Sequence, residues 1–506
     1  MTGRALAIGL DVGTSAVKAV AIDATGTVIA QVSAECSFES PRPGWAETSP
    51  DHLWEASKRA LCGLCAQDAV RSGSIASLGL TGQMHGLVVL DARGRPIRPA
   101  IMWNDQRCAS EVRELEESLG LAKILALTGN KVLTGFTAPK WLWLARHEPE
   151  TVRAAAHVML PKDYVRFRLT GAMHTDVADA SGTLFFDCEH RRWSSAMCDA
   201  MGLPSALLPE VFESPSITSR VTAEGARDSG LPEGTPVAAG AGDQAAQAVG
   251  TGIVREGDVS CTIGTSGVIF AATAGFRPTP DGSLHAFCHA IPDRWHLMGV
   301  TLSAGGSLRW MRDSLCADLV REGASRGCDP YELMFAEAAG APQGCEGLVF
   351  LPYLSGERTP HADPNARGVF AGLSTRSTRA HMIRAVVEGV TCSLRETLDV
   401  ARSAHARVDR VRLSGGGARS AWWRQLLCDA FRCPTSCPTS TDGAALGAAM
   451  LGGVGVGIWP SVDATADTVT EASTLTPSES APEFDAVADR YARCRQAMTP
   501  WFAHSR

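Results

Sequence analysis

Two short Gly-Thr-Ser turns could bind phosphate, at residues 13–15 and, in the second half of the chain, at residues 264–266. Each turn stands between two apolar runs with the character of strands, which predicts a β-hairpin with a polar tip. Glycine lets a ligand approach the backbone closely, and the hydroxyl and N–H groups of such a tip form an anion-binding concavity. An ordinary polar hairpin would explain either turn alone. Their duplication favours two lobes that grip one polyphosphate.

Two carboxylates could act beside such a polyphosphate. Asp11 directly precedes the first turn, where it could hold a hydrated Mg²⁺ that bridges nucleotide phosphates. Asp243 follows the small-residue run 237–242, which predicts a side chain at a strand end, suited to accept a proton from an incoming hydroxyl group. Alternatively, Asp243 caps a helix over Gln244–Val249. The two roles are compatible.

A third glycine-rich segment, residues 414–420, follows the apolar run Val408–Leu413 and opens a helix through Phe431. A turn of this kind places N–H groups and the positive end of a helix near an anion or a purine. Tight packing between strand and helix is the alternative reading. This segment is therefore a candidate nucleotide site.

His85 and Trp103 are the candidates for contact with a small polar ligand. His85 lies between Gly82 and Gly86, and glycines in such positions permit close approach of a ligand, although a lone histidine more often has only a packing role. Most other tryptophans lie at helical spacings. Trp103 is the exception that suits stacking on a carbohydrate.

Composition limits the class of protein. The chain has 506 residues, of which 45% are hydrophobic, enough for two or three domains with cores. Its net charge of −7 speaks against a general nucleic-acid or membrane partner. The absence of a Gly-Lys dipeptide excludes a Walker P-loop. Since no targeting or membrane-spanning pattern is found, we expect a cytoplasmic protein with reduced, unpaired cysteines.

The elements that must position these residues repeat within the chain. Three predicted strands (Ala5–Leu10, Val17–Asp23 and Thr27–Ser33) form a meander that is followed by a helix over Asp51–Val70 and a strand over Ile75–Thr81. This order is typical of an RNase H-like lobe rather than a Rossmann unit. It begins again near Asp258. We therefore predict domains at 1–252 and 253–460, followed by a Ser/Thr/Ala/Pro-rich linker and a C-terminal helix within 461–506.

The motifs occur in an order that resembles the FGGY family of carbohydrate kinases over most of the chain, from Ala5 to Gly453. The segments that carry the resemblance are Asp11-Val12-Gly13-Thr14-Ser15, Gly82-Gln83-Met84-His85-Gly86, Trp103-Asn104-Asp105 with Arg107, Gly242-Asp243-Gln244, Gly264-Thr265-Ser266-Gly267 and Gly415-Gly416-Gly417-Ala418-Arg419-Ser420, strengthened by residues 134–140, 160–164 and 354–361. The resemblance implies an α/β fold of two RNase H-like, actin-like ATPase lobes with an interlobe active-site cleft, and ATP with Mg²⁺ as cofactors.

The resemblance also implies roles for individual residues. Asp243 is the catalytic base and Asp11 the metal ligand. The substrate-binding residues are Gln83, Met84, His85, Trp103, Asp105 and Gln244. The cofactor-binding residues are Asp11, Gly13, Thr14, Ser15, Lys18, Gly264, Thr265, Ser266, Gly415, Gly416, Gly417 and Arg419.

Within the family, the resemblance favours phosphorylation of D-xylulose to D-xylulose 5-phosphate and allows a homodimer. Gln244 departs from the Asn of many kinases with this substrate and matches glycerol kinases, whereas Gln83-Met84-His85 stands where an Arg-Glu pair would be expected for glycerol. Ribulose, gluconate and glycerol therefore stay as alternatives. A non-catalytic, actin-like nucleotide-binding protein is the alternative of another class, which sugar-dependent ATP turnover would exclude.

Overall fold

The computed structural model describes residues 4–439 and 443–504. The chain divides into two compact units. The first comprises Met1–Arg255, Ala274–His296 and Asp442–Thr470; the second comprises Glu256–Thr273, Leu297–Thr441 and Glu471–Arg506. The division predicted from the sequence places Ala274–His296 and Asp442–Thr470 outside the first domain. A division into consecutive stretches cannot represent a chain that leaves a unit and later returns to it.

The strands of the described residues are given in chain order. They are β1 (Ala5–Val12), β2 (Ala16–Asp23), β3 (Val28–Glu35), β4 (Glu47–Thr48), β5 (Ser74–Gly82), β6 (Val88–Leu90), β7 (Ala100–Ile101), β8 (His157–Met159), β9 (His174–Asp176), β10 (Phe186–Asp187), β11 (Arg192–Trp193), β12 (Glu210–Phe212), β13 (Ile217–Arg220), β14 (Pro236–Ala238), β15 (Ala241–Gly242), β16 (Gly257–Ile263), β17 (Gly267–Thr273), β18 (His285–Cys288), β19 (Trp295–Thr301), β20 (Val349–Leu351), β21 (Val369–Ala371), β22 (Val408–Ser414), β23 (Thr435–Pro438) and β24 (Glu471–Leu475).

The α-helices of the same residues follow in chain order. They are α1 (Pro50–Cys65), α2 (Asp68–Arg71), α3 (Ala109–Leu119), α4 (Leu121–Thr128), α5 (Thr137–His147), α6 (Pro149–Ala154), α7 (Pro161–Thr170), α8 (Val177–Ala180), α9 (Ser195–Ala200), α10 (Ala223–Ser229), α11 (Asp243–Gly250), α12 (Gly305–Leu315), α13 (Ala317–Arg326), α14 (Pro330–Ala339), α15 (Arg379–Ser403), α16 (Ala421–Phe431), α17 (Gly443–Gly455), α18 (Val462–Thr465) and α19 (Phe484–His504).

The main sheet of the first unit has the strand order β13-β14-β5-β1-β2-β3, with β15 also paired to β5. Strand β1 is antiparallel to β2 and parallel to β5. Alternate residues of β1 enter different cores, since Leu6, Ile8 and Leu10 pack in the cluster that includes α1, whereas Ala7 packs in the cluster that includes α17. Helices therefore cover both faces of this sheet.

The register of the first sheet brings the candidate residues of this unit to one edge. Asp11 of β1 pairs with Thr81 of β5, and Gly242, the last residue of β15, pairs with Gly82, the last of β5. Because β1, β5 and β15 are parallel, the residues that follow their carboxyl ends lie side by side, which is where α/β sheets bind ligands.

The second unit repeats this arrangement. Its strands β19-β17-β16-β22-β23-β24 lie in that order, with β16 antiparallel to β17 and parallel to β22, and β22 parallel to β23. The same succession of directions relates β2, β1, β5 and β14 of the first unit. The predicted fold class, two RNase H-like α/β lobes, is confirmed.

Helix α17 shows why residues after 442 return to the first unit. A Cβ atom added at Gly9 of β1 would lie 1.9 Å from the Ala445 carbonyl oxygen, and one at Gly79 of β5 would lie 1.8 Å from that of Ala448. The helix therefore lies directly on the backbone of the two strands, which only glycine allows. The small residues of α17 make this close packing possible.

The segment predicted as a linker is structured. It contains α18 and the strand β24. Strand β24 is antiparallel to β23, with Leu475 opposite Thr435 and Thr474 opposite Ser436. Ser/Thr-rich composition suggested a linker because an exposed edge strand buries few side chains. Its backbone pairing depends on a distant strand and leaves no local signal.

Candidate functional site

The first Gly-Thr-Ser turn joins β1 to β2 and is held by two distant segments. The Gly13 N–H donates to the Ala16 carbonyl at 3.1 Å, which closes the turn. The Thr14 hydroxyl donates to Gln83 Oε1 at 3.2 Å and accepts a hydrogen bond from Trp103 Nε1 at 3.0 Å. The structure thus brings together Thr14, Gln83 and Trp103, three residues that the sequence analysis placed in phosphate and substrate binding.

Gln83 is buried, and its amide group serves the turn. Its Oε1 accepts from the Thr14 hydroxyl, and its Nε2 donates to the Gly13 carbonyl oxygen at 3.5 Å. Trp103 is 41% exposed and remains accessible to a ligand. Ser15 is exposed, and Lys18 of β2 is the cross-strand neighbour of Asp11, so the two side chains share a face of the sheet.

Asp243 is the first residue of α11, and Gly242 is the N-cap, without a side-chain capping bond. Asp243 is therefore not the N-cap residue of this helix. The carboxyl group is half-buried. Burial, followed by the negative charge of Asp11, raises its pKa to about 7, against hydrogen bonds from Gln244 that lower it. A carboxylate with this pKa can exchange a proton with a ligand near neutral pH.

His85 has a positive φ of 70°, which is rare for a residue other than glycine and marks functional sites. Its carbonyl oxygen accepts hydrogen bonds from Thr137 Oγ1 at 3.1 Å and Lys140 Nζ at 2.8 Å. Its ring Nδ1 lies 2.6 Å from the Gly182 carbonyl oxygen. Because a carbonyl only accepts, Nδ1 carries the hydrogen of this bond.

Met84 is buried, and its side chain lies against Gly242, the residue before Asp243, and near Gly182. A Cβ atom added at Gly242 would lie 2.7 Å from Met84 Cγ, and one at Gly182 would lie 2.5 Å from His85 Nδ1. Any larger residue at these two glycines would displace the side chains. The structure therefore gathers Met84, His85 and Asp243 in one place, beside Asp11.

Asp105 does not have a free carboxylate. Its two oxygens accept from the Ala46 N–H at 2.6 Å, the Arg107 N–H at 2.9 Å, and Arg107 Nε and Nη2 at 2.9 and 2.7 Å. The side chain is fully buried, and the Arg107 guanidinium stacks on Trp45, 3.7 Å from the ring centroid. Asp105 therefore fixes the loop that carries Trp103, rather than offering oxygens to a ligand.

In the second unit, the second Gly-Thr-Ser turn joins β16 to β17 and rests on the start of α12. The carbonyl oxygens of Gly264 and Thr265 accept hydrogen bonds from the N–H groups of Gly305 and Gly306, at 2.8 and 2.9 Å. Arg309 Nη2 lies 3.5 Å from Thr265 Oγ1. The turn thus has a cationic side chain next to its hydroxyl group.

A cavity of about 660 Å³ opens beside this turn, within the second unit. Its wall is formed by the turn, the start of α12, the helix α14 and the glycine-rich segment after β22. The lining residues include Gly264, Thr265, Arg309, Tyr331, Phe335, Gly416, Gly417, Arg419 and Trp423. Its volume and its mixture of aromatic, cationic and backbone polar groups suit a nucleotide.

The three glycines of the glycine-rich segment have different surroundings. Gly415 has φ 83°, and a Cβ atom there would lie 2.5 Å from the Ile263 carbonyl oxygen. A Cβ atom at Gly417 would lie 2.5 Å from Ile263 Cγ2, whereas one at Gly416 would meet nothing within 4 Å. The first and third glycines therefore serve backbone packing, and Gly416 borders open space.

The sequence analysis missed several residues of these sites. Lys140 and Thr137 lie in a segment that contributed to the resemblance, yet only the structure places their side chains on the His85 carbonyl. Tyr331 and Phe335 are one helical turn apart on α14, a spacing that also suits a core helix. Arg309 gave no local signal.

Two findings on absent features apply to the described residues. Within residues 4–439 and 443–504, no helix is both long and apolar enough to span a membrane. In the same residues no cluster of three or more His, Cys, Asp or Glu side chains could hold a metal ion.

Comparison with known proteins agrees with this geometry. The xylulose kinase of Escherichia coli (strain K12) is 43% identical over 422 residues, which cover 83% of this chain and 84% of the relative. The solved structure of a xyloylose kinase from Brucella ovis has a TM-score of 0.90 and 36% identity over 98% of this chain and 100% of that one. The xylulose kinase structure from Rhodospirillum rubrum has a TM-score of 0.92 and 31% identity over 99% of this chain and 100% of that one.

The family models lead to the same conclusion. The N-terminal domain of the FGGY family of carbohydrate kinases matches residues 6–250, and its C-terminal domain matches residues 259–456. The chain belongs to the FGGY family of carbohydrate kinases.

Proposed function

We propose that this chain transfers the γ-phosphoryl group of ATP to D-xylulose, forming D-xylulose 5-phosphate and ADP. The observation that carries the proposal is the Asp243 carboxyl group, which follows Gly242 at the carboxyl end of β15, interacts electrostatically with Asp11 and has a pKa of about 7. Such a group suits the deprotonation of a sugar hydroxyl. The identity to proteins named xylulose kinase supports xylulose among the possible sugars.

In this reaction Asp243 accepts the proton of the primary sugar hydroxyl group. At the same time the oxygen of that hydroxyl group forms a bond to the γ-phosphorus. The bond from that phosphorus to the bridging oxygen breaks, and ADP leaves. The His85 ring forms a hydrogen bond through Nε2 with another sugar hydroxyl, since its Nδ1–H is already given to the Gly182 carbonyl. Trp103, exposed beside Thr14, supplies an apolar face for the sugar carbons.

Asp11 fits a magnesium ion by the chemistry of its donor atoms. Mg²⁺ prefers oxygen ligands and keeps several waters, so one or two carboxylates with phosphate oxygens complete its coordination. The half-buried carboxylate of Asp11 lies close enough to Asp243 to raise its pKa. When bound, the ion neutralises charge on the nucleotide phosphates.

The nucleotide belongs, in this proposal, to the cavity of the second unit. Tyr331 and Phe335 offer aromatic faces for the base, and the exposed Gly416 brings main chain to the cavity. Arg309 and the hydroxyl of Thr265 suit the phosphates, because a guanidinium group can bind two phosphate oxygens at once.

A coupled assay of ADP release tests the proposal. We expect the highest kcat/KM with D-xylulose, lower values with D-ribulose, gluconate and glycerol, and slow ATP hydrolysis without sugar. A higher kcat/KM with another polyol or ketose would overturn the assignment of xylulose alone. Full ATP turnover without any sugar would contradict the assignment of a sugar phosphotransferase.

Two alanine substitutions should separate a structural glycine from one that faces the nucleotide. Gly415→Ala should lower the melting temperature, because the new Cβ would clash with the Ile263 carbonyl at a φ that disfavours alanine. Gly416→Ala, its matched control, should leave the melting temperature unchanged and raise the KM for ATP about threefold to tenfold, since its Cβ enters the cavity wall. Steady-state kinetics and thermal unfolding measure both effects. An unchanged KM for ATP in folded Gly416→Ala would place the nucleotide elsewhere.

A further inference from the structure

The first unit contains five charged side chains that are buried together. Lys162 Nζ lies 2.6 Å from Asp163 Oδ1, 2.6 Å from Asp176 Oδ2 and 3.3 Å from Asp179 Oδ2. Arg166 Nη1 lies 2.9 Å from Asp163 Oδ1. All five side chains have 0% exposure, and we call them the buried charge cluster.

The buried charge cluster is costly by itself. Taking ions out of water carries a desolvation penalty that their mutual attraction often fails to recover, and apolar residues of similar size can be as stable. Burial raises the pKa of Asp176 and Asp179, in keeping with three carboxyl groups facing two cations. Stability alone is therefore a poor reason for this cluster. A fixed, directional arrangement is a better one.

Lys162 of the buried charge cluster contacts the end of β5, the strand that leads to His85. Gly82, the last residue of β5, lies directly on Lys162, since a Cβ atom added to this glycine would be 3.2 Å from Lys162 Cβ. The next residues are Gln83, Met84 and His85. The position of Lys162 thus bears on the place where β5 ends.

The cluster also holds the segment that supports the His85 ring. The Asp176 carboxylate caps α8 by accepting from the N–H groups of Ala178 and Asp179, each at 2.9 Å. Helix α8 leads into a 3-10 turn at Ser181–Thr183, where the Gly182 carbonyl accepts the His85 Nδ1–H. Two carboxylates on Lys162 therefore fix the support of that ring.

A third contact leads toward the catalytic base. Arg166 donates to the carbonyl oxygens of His174, at 2.5 Å, and of Ala239. Ala239 directly follows β14 and precedes β15, after which comes Asp243. The same cluster is thus connected to each of the three segments that end in His85, Gly182 and Asp243.

We infer that Lys162 is a positioning residue for the sugar site: it ties the end of β5, the α8 segment and, through Asp163 and Arg166, the approach to Asp243 into one geometry. The inference rests on the proposed function only in placing the sugar at His85 and Asp243. It makes no claim about which sugar is bound.

The test replaces Lys162 by methionine, which has a similar length and no charge. We expect the KM for the sugar to rise about tenfold and kcat to fall, because small displacements of reacting groups are costly. Nucleotide binding, measured without sugar as the shift in melting temperature with ADP, should stay as in the unaltered protein, since the proposed nucleotide cavity lies in the second unit. A general folding defect would weaken the binding of both the sugar and ADP, so a selective effect on the sugar distinguishes positioning from misfolding.

The matched control is Arg384→Met, which removes a buried cation from the second unit, where Arg384 pairs with Glu388 at 2.7 Å. It should lower the melting temperature and leave the KM for the sugar unchanged. If Lys162→Met is insoluble, Asp179→Ala replaces it, because loss of one carboxylate relieves the excess of negative charge. We expect a smaller rise in the KM for the sugar, about threefold.

The outcomes are distinct. A selective rise in the KM for the sugar in Lys162→Met or Asp179→Ala supports the inference. A normal KM in a folded variant, an equal loss of ADP binding, or the same rise in Arg384→Met overturns it. The sugar is the one that the unaltered protein phosphorylates fastest, so a failure of D-xylulose counts against the proposed substrate and leaves the positioning test intact.

Discussion

Replacing Asp243 by asparagine should lower kcat by about 10²–10⁴-fold, the usual contribution of a general base. Asparagine keeps the size of the side chain and cannot accept the proton of the sugar hydroxyl. The proposed sugar contacts at Met84 and His85 should stay in place, because the positions of these side chains depend on Gly242 and Gly182 rather than on the carboxylate. We therefore expect sugar binding to change by no more than a few fold. ADP release gives kcat, and calorimetry gives the affinity for the sugar.

The control is Asp187→Asn in the same unit. Asp187 is a partly buried carboxylate whose side chain pairs with the exposed His190 at 2.9 Å. It should keep kcat near that of the unaltered enzyme. Near-normal turnover in Asp243→Asn would remove this residue from the mechanism, whereas loss of sugar binding in step with kcat would make it a binding residue.

Residues next to strand ends could be predicted from the sequence because their signals are local. Asp11 and Asp243 each follow an apolar or small-residue run, and the duplicated Gly-Thr-Ser turns stand between alternating strands. The register of parallel strands then brings Asp11 and Gly242 to the same edge. Local pattern and sheet geometry together therefore define much of the candidate site in the first unit.

The remaining contacts depend on the path of the chain in space. Lys140 reaches the His85 carbonyl across 55 positions of sequence, and no periodicity encodes such a meeting. The resemblance places Asp105 among the substrate-binding residues, and only the structure shows that Arg107, two residues later, donates to both of its carboxylate oxygens. Charge and position suggest that a residue is polar and near a site. They do not say which partner it has.

The division into units shows the same limit at a larger scale. The return of α17 to the first unit depends on Gly9 and Gly79 leaving room for a helix backbone. Each of these glycines, taken alone, is an unremarkable residue within a strand. Their meaning is clear only when the small residues of α17 are placed against them, which requires the tertiary structure.

Asp11→Asn should lower kcat by about 10–100-fold, the loss found when groups that orient a metal and its waters are removed. The amide keeps the shape of the side chain and loses the charge that attracts Mg²⁺. Raising the Mg²⁺ concentration should restore part of the activity, while the KM for the sugar changes little. Titrations of activity with Mg²⁺ in both proteins measure this effect.

The same substitution should also move the pH profile in a direction that the structure fixes. The pKa of Asp243 is about 7, raised first by burial and next by the charge of Asp11. A base must be deprotonated, so kcat/KM of the unaltered enzyme should rise with pH through about 7 and then level. Without the negative charge of Asp11 the pKa of Asp243 falls, and the ascending limb should move to lower pH. Asp187→Asn should leave the limb in place. A limb that stays near pH 7 in Asp11→Asn, with normal Mg²⁺ dependence, would separate Asp11 from both the base and the metal.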